Sequence, residues 1–196
     1  MKILVTGFGP FPGVPHNISG EVAEACAEAW SGRPGVTAEF LLLDTDWQTA
    51  PSLVRQKLKQ TEPDIIIHLG VADDATGLTL ESHAYNACCG SPDVCGYEPK
   101  DVALHRDGPA QHTTTVPLGK IAGQLRSQGL NFAISNDPGR YLCNAVYHEG
   151  LATHAAGAAA GRCVFIHLPV HPASETISLG DIRKSLDIVL DTMIAG

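Results

Sequence analysis

Apolar residues in this chain fall into short runs that switch between two spacings. Residues 2–6 are nearly continuously apolar (Ile3, Leu4, Val5), as in a strand covered on both faces. Residues 17–30 then space their apolar positions as a helix does, with Asn17 or Ser19 available as N-cap and Gly32 beyond the end. A second strand is expected over 40–43 and a second helix over 50–60. The run Ile65-Ile66-Ile67-His68-Leu69 makes 64–69 the clearest buried strand. Residues 78–86 alternate and predict one further strand. From 88 to 111 Gly, Pro and polar residues remove any period, and a connection of that length is often a binding loop or lid. A helix over 118–128, a strand over 132–135, a helix carrying Cys143, a strand over 164–169 and a helix over 179–194 complete the pattern.

Strands alternating with helices of these lengths predict an α/β fold, a three-layer α/β/α sandwich with a mostly parallel, mixed central sheet. Ligands of such sheets bind at the carboxyl ends of strands. The 7–11 loop, Gly70, Cys143 and His167 all fall at such ends. No repeat or linker divides the chain, so 1–196 reads as one domain.

Composition narrows the function. A formal charge of −8 argues against nucleic-acid or anionic-membrane surfaces, which need basic patches. No apolar stretch has the length of a membrane span, and the opening apolar run is too short and too broken by Gly7, Gly9 and Pro10 for a secretory signal. Six cysteines could suggest disulfides, but Cys26 falls in an Ala-rich helix and Cys163 opens a buried strand. A reducing, cytoplasmic compartment fits better.

The candidate chemistry centres on Cys143. Residues 136–147 read as a Pro/Gly-punctuated turn opening into a helix, and a thiol in the first turn of a helix is placed to favour thiolate. His167 lies at the far end of the next apolar strand, and Leu78-Thr79-Leu80-Glu81-Ser82 sets a lone carboxylate in another strand. Cysteine, histidine and carboxylate are the parts of a Cys-His-acid hydrolase. Singly each has a plainer reading: an inert buried thiol, a satisfied core histidine, a surface charge. A rival group, His83, Cys88, Cys89, Cys95 and His105, invites a structural zinc. However, Cys88 and Cys89 are adjacent and no Cys-x-x-Cys pair exists, so thiols on a surface loop are expected there, with no metal and no cofactor. His68 and His112 read as structural strand residues, His148 and His154 as exposed helix positions.

Several segments together resemble one family. Thr6-Gly7-Phe8-Gly9-Pro10-Phe11 opens the chain, with Asn17 shortly after it. Leu80-Glu81, Gly139-Arg140-Tyr141-Leu142-Cys143 and Phe165-Ile166-His167-Leu168-Pro169 follow in order. In these motifs the sequence resembles the pyroglutamyl-peptidase I (pyrrolidone-carboxylate peptidase) family. The resemblance implies a cysteine omega-peptidase of the cytoplasm that removes N-terminal pyroglutamate from peptides through a thioester. It implies catalytic Cys143, His167 and Glu81, with Phe8 and Phe11 holding the lactam ring. Asn17 would bond the substrate or serve only as an N-cap. Residues 70–75 depart from the pattern, reading Gly-Val-Ala-Asp-Asp-Ala where many bacterial members read Gly-Gln-Ala-Gly-Gly-Arg, and Pro12 replaces a usual Gly. The Gly-Val opening, the Cys-rich stretch and the Arg-Tyr-Leu-Cys spelling are similar to the animal-type branch, which implies a monomer. Two other readings stay open: a non-catalytic or zinc-stabilised binding module that has kept the fold, and a cysteine hydrolase for another small amide.

Overall fold

The computed structural model describes residues 1–88, 91–100, 102–155, 162–170 and 177–196. The chain runs β1 (Lys2–Phe8), α1 (Ile18–Ser31), β2 (Thr37–Leu43), α2 (Ala50–Thr61), β3 (Ile65–Ala72), β4 (Leu78–Glu81), β5 (His83–Tyr85), β6 (Gln111–Thr113), α3 (Leu118–Ser127), β7 (Phe132–Ser135), α4 (Leu142–Ala155), β8 (Arg162–Pro169) and α5 (Leu179–Ala195). Six strands form one sheet in the order β2-β1-β3-β8-β4-β7. All neighbours are parallel except β4 and β8, so the sheet is mixed and largely parallel, as expected. Helices cover both faces and complete the three-layer sandwich.

The central strands are apolar at successive positions because both of their faces are covered. Ile65 and Ile67 join the core under α1, α3 and α5, while Ile66 faces the core under α2 and α4. Val164 and Ile166 of β8 divide from Cys163 and Phe165 in the same way. Phe165 is fully buried at the middle of the second core, where truncation to Ala would cost about 3–5 kcal/mol. Helix ends follow side-chain chemistry. Asn17 caps α1 by accepting from Ser19 N, and Ser178 with Asp181 forms a capping box on α5. Among the described residues no helix is long and apolar enough to cross a membrane.

The strand expected over 78–86 is two strands. β4 pairs with β8 and β7, then the chain turns away at Ser82, whose N–H and hydroxyl both donate to Ser135 O at 2.8 Å. β5 pairs instead with β6 in a separate two-stranded ribbon. Alternation signals extended backbone but carries no information about which partner supplies the hydrogen bonds.

The long connection before β6 has no helix or strand in its described residues, yet it is tied down. Cys88 N–H donates to Val102 O at 2.8 Å, and Val94 N–H to Thr45 O at 3.0 Å. The Asp93 carboxylate accepts the N–H groups of Trp47, Cys95 and Tyr97. Asn86 and His105 exchange two bonds of 2.7 Å.

Candidate active site

Cys143 owes its position to the turn before it. Gly139 takes φ +78°, a left-handed conformation that suits glycine, and its N–H is accepted by Asp137 Oδ1 at 3.1 Å. The helix then starts, with Ala145 N–H donating to Tyr141 O at 3.1 Å, so Cys143 is the second residue of α4. The first-turn N–H groups of a helix have no internal partner and carry its positive end. Asn144, buried beside Cys143, fixes this end laterally. Its Oδ1 accepts Tyr85 N–H, and its Nδ2 donates to Tyr85 O and Ala87 O. At Gly70, near the end of β3, an added Cβ would lie 3.0 Å from Cys143 Sγ and 2.7 Å from Phe165 Cζ. The thiol thus sits directly against the strand end, and only glycine leaves it room.

His167 and Glu81 reach the same place from β8 and β4. Antiparallel pairing sets Thr79 opposite His167 and Glu81 opposite Phe165, so the imidazole and carboxylate are diagonal neighbours on one face. His167 Nδ1 lies 2.8 Å from Glu81 Oε1, and both residues are buried. Burial opposes the imidazolium, but hydrogen bonds to Cys143 and Glu81 outweigh it and hold the His167 pKa well above its ordinary value. Tyr147, buried one turn further along α4, donates its hydroxyl to Glu81 O at 2.8 Å and locks the carboxylate strand to the cysteine helix. Asn144 and Tyr147 belong to no motif of the sequence. The available signal was a polar Asn directly after Cys143, with Tyr147 one turn further on the same face.

The three expected substrate-binding residues are arranged differently from one another. Phe8 closes β1 and is buried in the apolar cluster that includes Leu142 and Phe165, against which Cys143 packs. Phe11 is half-buried in neither core cluster. It begins a tight turn in which Phe11 and Val14 exchange backbone bonds of 3.1 and 2.8 Å around Pro12 and Gly13. Asn17 spends its amide internally: Oδ1 accepts Ser19 N–H and Ser19 Oγ–H, and Nδ2 donates to Gly9 O at 3.1 Å. It caps the helix and pins the loop that carries Phe11.

A second histidine group lies further along α4. His148, expected to be exposed, is 1% exposed, and neither of its ring nitrogens has a hydrogen-bond partner among the described residues. It stacks on His105 at 5.1 Å between ring centroids and meets His112 of β6 at 4.8 Å. Burial and the two neighbouring imidazoles push its pKa down to about 4. Glu149 beside it accepts two bonds from Arg55 of α2, and His105 Nε2 lies 2.7 Å from its Oε1. His68 is buried with Nδ1 2.8 Å from Thr6 Oγ1. Among the described residues no three His, Cys, Asp or Glu side chains are grouped to hold a metal ion. Of the rival zinc set, Cys88 is buried and faces Val102 O, and exposed Cys95 faces Asp46. Cys89 and the side chain of His154 lie outside the described residues.

A thiol at a helix start, set against the strand end beside a buried imidazole that is itself bonded to a carboxylate, is the arrangement of parts found in cysteine hydrolases. The family model described as pyroglutamyl peptidase matches residues 1–196. This chain belongs to that family and is a cysteine peptidase. It is 30% identical to the pyrrolidone-carboxylate peptidase of Lactobacillus johnsonii over 204 residues, covering 99% of this chain and 93% of that one. It is 32% identical to that of Pseudomonas fluorescens, covering 99% and 88%. The crystal structure of pyroglutamyl peptidase I from Bacillus amyloliquefaciens superposes with a TM-score of 0.88 at 27% identity, covering 100% of this chain and 97% of that one. A mutant pyrrolidone carboxyl peptidase from the hyperthermophile Pyrococcus furiosus gives 0.87 at 26%, covering 100% and 99%.

Proposed function

We propose that this enzyme hydrolyses the bond after an N-terminal pyroglutamate, with Cys143 as nucleophile, His167 as acid and base, and Glu81 orienting the imidazole. The observation that carries the reading is the buried His167–Glu81 pair with Cys143 Sγ set against Gly70, the residue paired with His167 across β3 and β8. Cys143 attacks the pyroglutamyl carbonyl, and free N–H groups at the start of α4 receive the developing oxyanion. His167 gives its proton to the leaving amine, a thioester remains, and water activated by His167 resolves it. Glu81 keeps the proton on Nδ1 and balances the imidazolium.

Pyroglutamate lacks a free α-amine and presents a flat lactam. Phe8 and Phe11 supply apolar walls for it, while Asn17 acts on the site through the loop it anchors and offers its remaining amide hydrogen to the substrate. No step needs a metal or organic cofactor. A monomer working in the cytoplasm, nearer the animal-type branch, completes the proposal. It rests on the Gly70-Val71 opening, the Cys-rich stretch and the Arg140–Cys143 spelling.

The test compares pyroglutamyl and prolyl derivatives of 7-amino-4-methylcoumarin. Proline keeps the ring size but brings a charged amine and lacks the ring carbonyl, so groups meant for the lactam go unpaired. Discrimination of about 10⁴ or more in kcat/KM is expected. Comparable values for the two substrates would overturn the pyroglutamate assignment.

A further inference from the structure

Beside His167 opens a cleft of about 450 Å³, between the loop that joins β3 to β4, the β4–β7 face and the turn before α4. His167 and Glu81 are among the residues that line it, whereas Cys143 is not. This asymmetry has a chemical consequence. When a scissile carbonyl faces Cys143, its nitrogen must lie toward the imidazole that protonates it. The chain departing with that nitrogen therefore starts at His167, where the cleft begins.

The charges along the cleft do not cancel. Glu81 is bonded to His167, and Asp137 is bonded to Arg140, which also lies over the Tyr85 ring. Asp74, exposed on the β3–β4 loop, takes part in none of the ion pairs among the described residues. The loop that carries it is bounded by a turn, Ala75 N–H to Ala72 O, and by Leu78 N–H donating to Asn131 O.

We infer that this cleft takes the one or two residues following the N-terminal one, and that Asp74 selects cationic side chains among them. The inference rests on the hydrolysis proposed above. Asp74 is exposed and screened by solvent, so its effect is a modest one in kcat/KM and weakens with salt. The net charge of −8 also favours cationic peptides at any site. The deciding quantity is therefore the response of the preference to Asp74, not the preference itself.

The experiment measures kcat/KM for two pyroglutamyl peptides identical except for Arg-Arg or Glu-Glu at the two positions after pyroglutamate. Wild type, Asp74→Asn and Asp74→Lys are compared at low and high ionic strength. Wild type should favour the Arg-Arg peptide by roughly three- to tenfold at low salt, Asp74→Asn should lower that ratio, and Asp74→Lys should lower it further. High salt should compress all three ratios. A ratio unchanged in Asp74→Lys overturns the inference and leaves the hydrolysis reading intact. If wild type cleaves neither peptide, the hydrolysis reading fails and the cleft assignment with it.

Discussion

Helix α4 touches two histidine neighbourhoods, and they differ in what burial does to an imidazole. His167, at the Cys143 end, is 7% exposed and has a carboxylate oxygen 2.8 Å away. His148, little more than a turn along the helix, is 1% exposed and has no hydrogen-bond partner among the described residues. Desolvation works against the charged form in both. In the first it is overcome by the thiol and Glu81; in the second it is reinforced by His112 and His105, and the pKa falls to about 4. A carboxylate does stand next to His148, but Glu149 is committed to Arg55 and His105. What distinguishes the two is therefore the partners each imidazole has, the Cys143 thiol and Glu81 for His167 and two further imidazoles for His148, not the depth of burial. A buried histidine is no sign of chemistry until its partner is named.

The largest effect expected from this contrast is at the paired end. Cys143→Ala and His167→Ala should each abolish measurable turnover of a pyroglutamyl substrate while the circular dichroism spectrum stays native. Iodoacetamide on the native protein should modify Cys143 first. Burial pushes the Cys26 thiol up to about 12 and that of Cys163 well above its ordinary value, which protects both. Peptide mapping that finds Cys88 or Cys95 modified with loss of activity, and Cys143 intact, would sink the assignment.

Glu81→Gln should act more mildly, with a loss on the order of a hundredfold or more by analogy with the acids of other triads. It also carries a pH signature. The His167 pKa is raised by Cys143 and by Glu81, and the proton it would give to the leaving amine is lost as pH rises through that raised pKa. Without the carboxylate charge that pKa drops, so the alkaline limb of kcat/KM against pH should move to lower pH. A wild-type rate with an unmoved limb would remove Glu81 from the mechanism.

The sequence revealed the first neighbourhood and concealed the second, for a physical reason. Cys143, His167 and Glu81 lie at ends of runs whose period gives the element type, and such ends converge in an α/β sheet. The continuous apolar runs of β1, β3 and β8 likewise announced burial on both faces. His148 shares its helix with Cys143, but whether it faces solvent depends on what covers it. The cover is the ribbon of β5 and β6 with the stretch through His105, and the alternation over 78–86 carries no sign that the chain leaves the sheet at Ser82 to form that roof over His148. Asn144 was hidden for the same reason, since its partners are the backbone groups of Tyr85 and Ala87.

The smallest expected effect sharpens the comparison at its unpaired end. His148 has a folded pKa of about 4 against an ordinary 6.5. Above 6.5 the group is neutral in both states and its contribution to stability is fully present. As pH falls from 6.5 toward 4, the unfolded chain binds a proton that the folded one refuses, and stability is lost across that window. The groups facing it are His105 on the long connection, His112 on β6, Glu149 on its own helix and, through Glu149, Arg55 on α2. His167 does not mask this change, because a raised pKa contributes stability that is fully present below 6.5. His148→Phe removes the proton site at little cost, since the ring has similar shape and no hydrogen bond is given up. The variant should match wild type at pH 7 and lose less Tm on acidification to pH 4.5. The difference should be a few degrees, at roughly 2–4 °C per kcal/mol for a chain of this size. Parallel Tm curves for the two proteins would mean that His148 takes up its proton as readily folded as unfolded. Burial without a partner would then not be what sets it apart from His167.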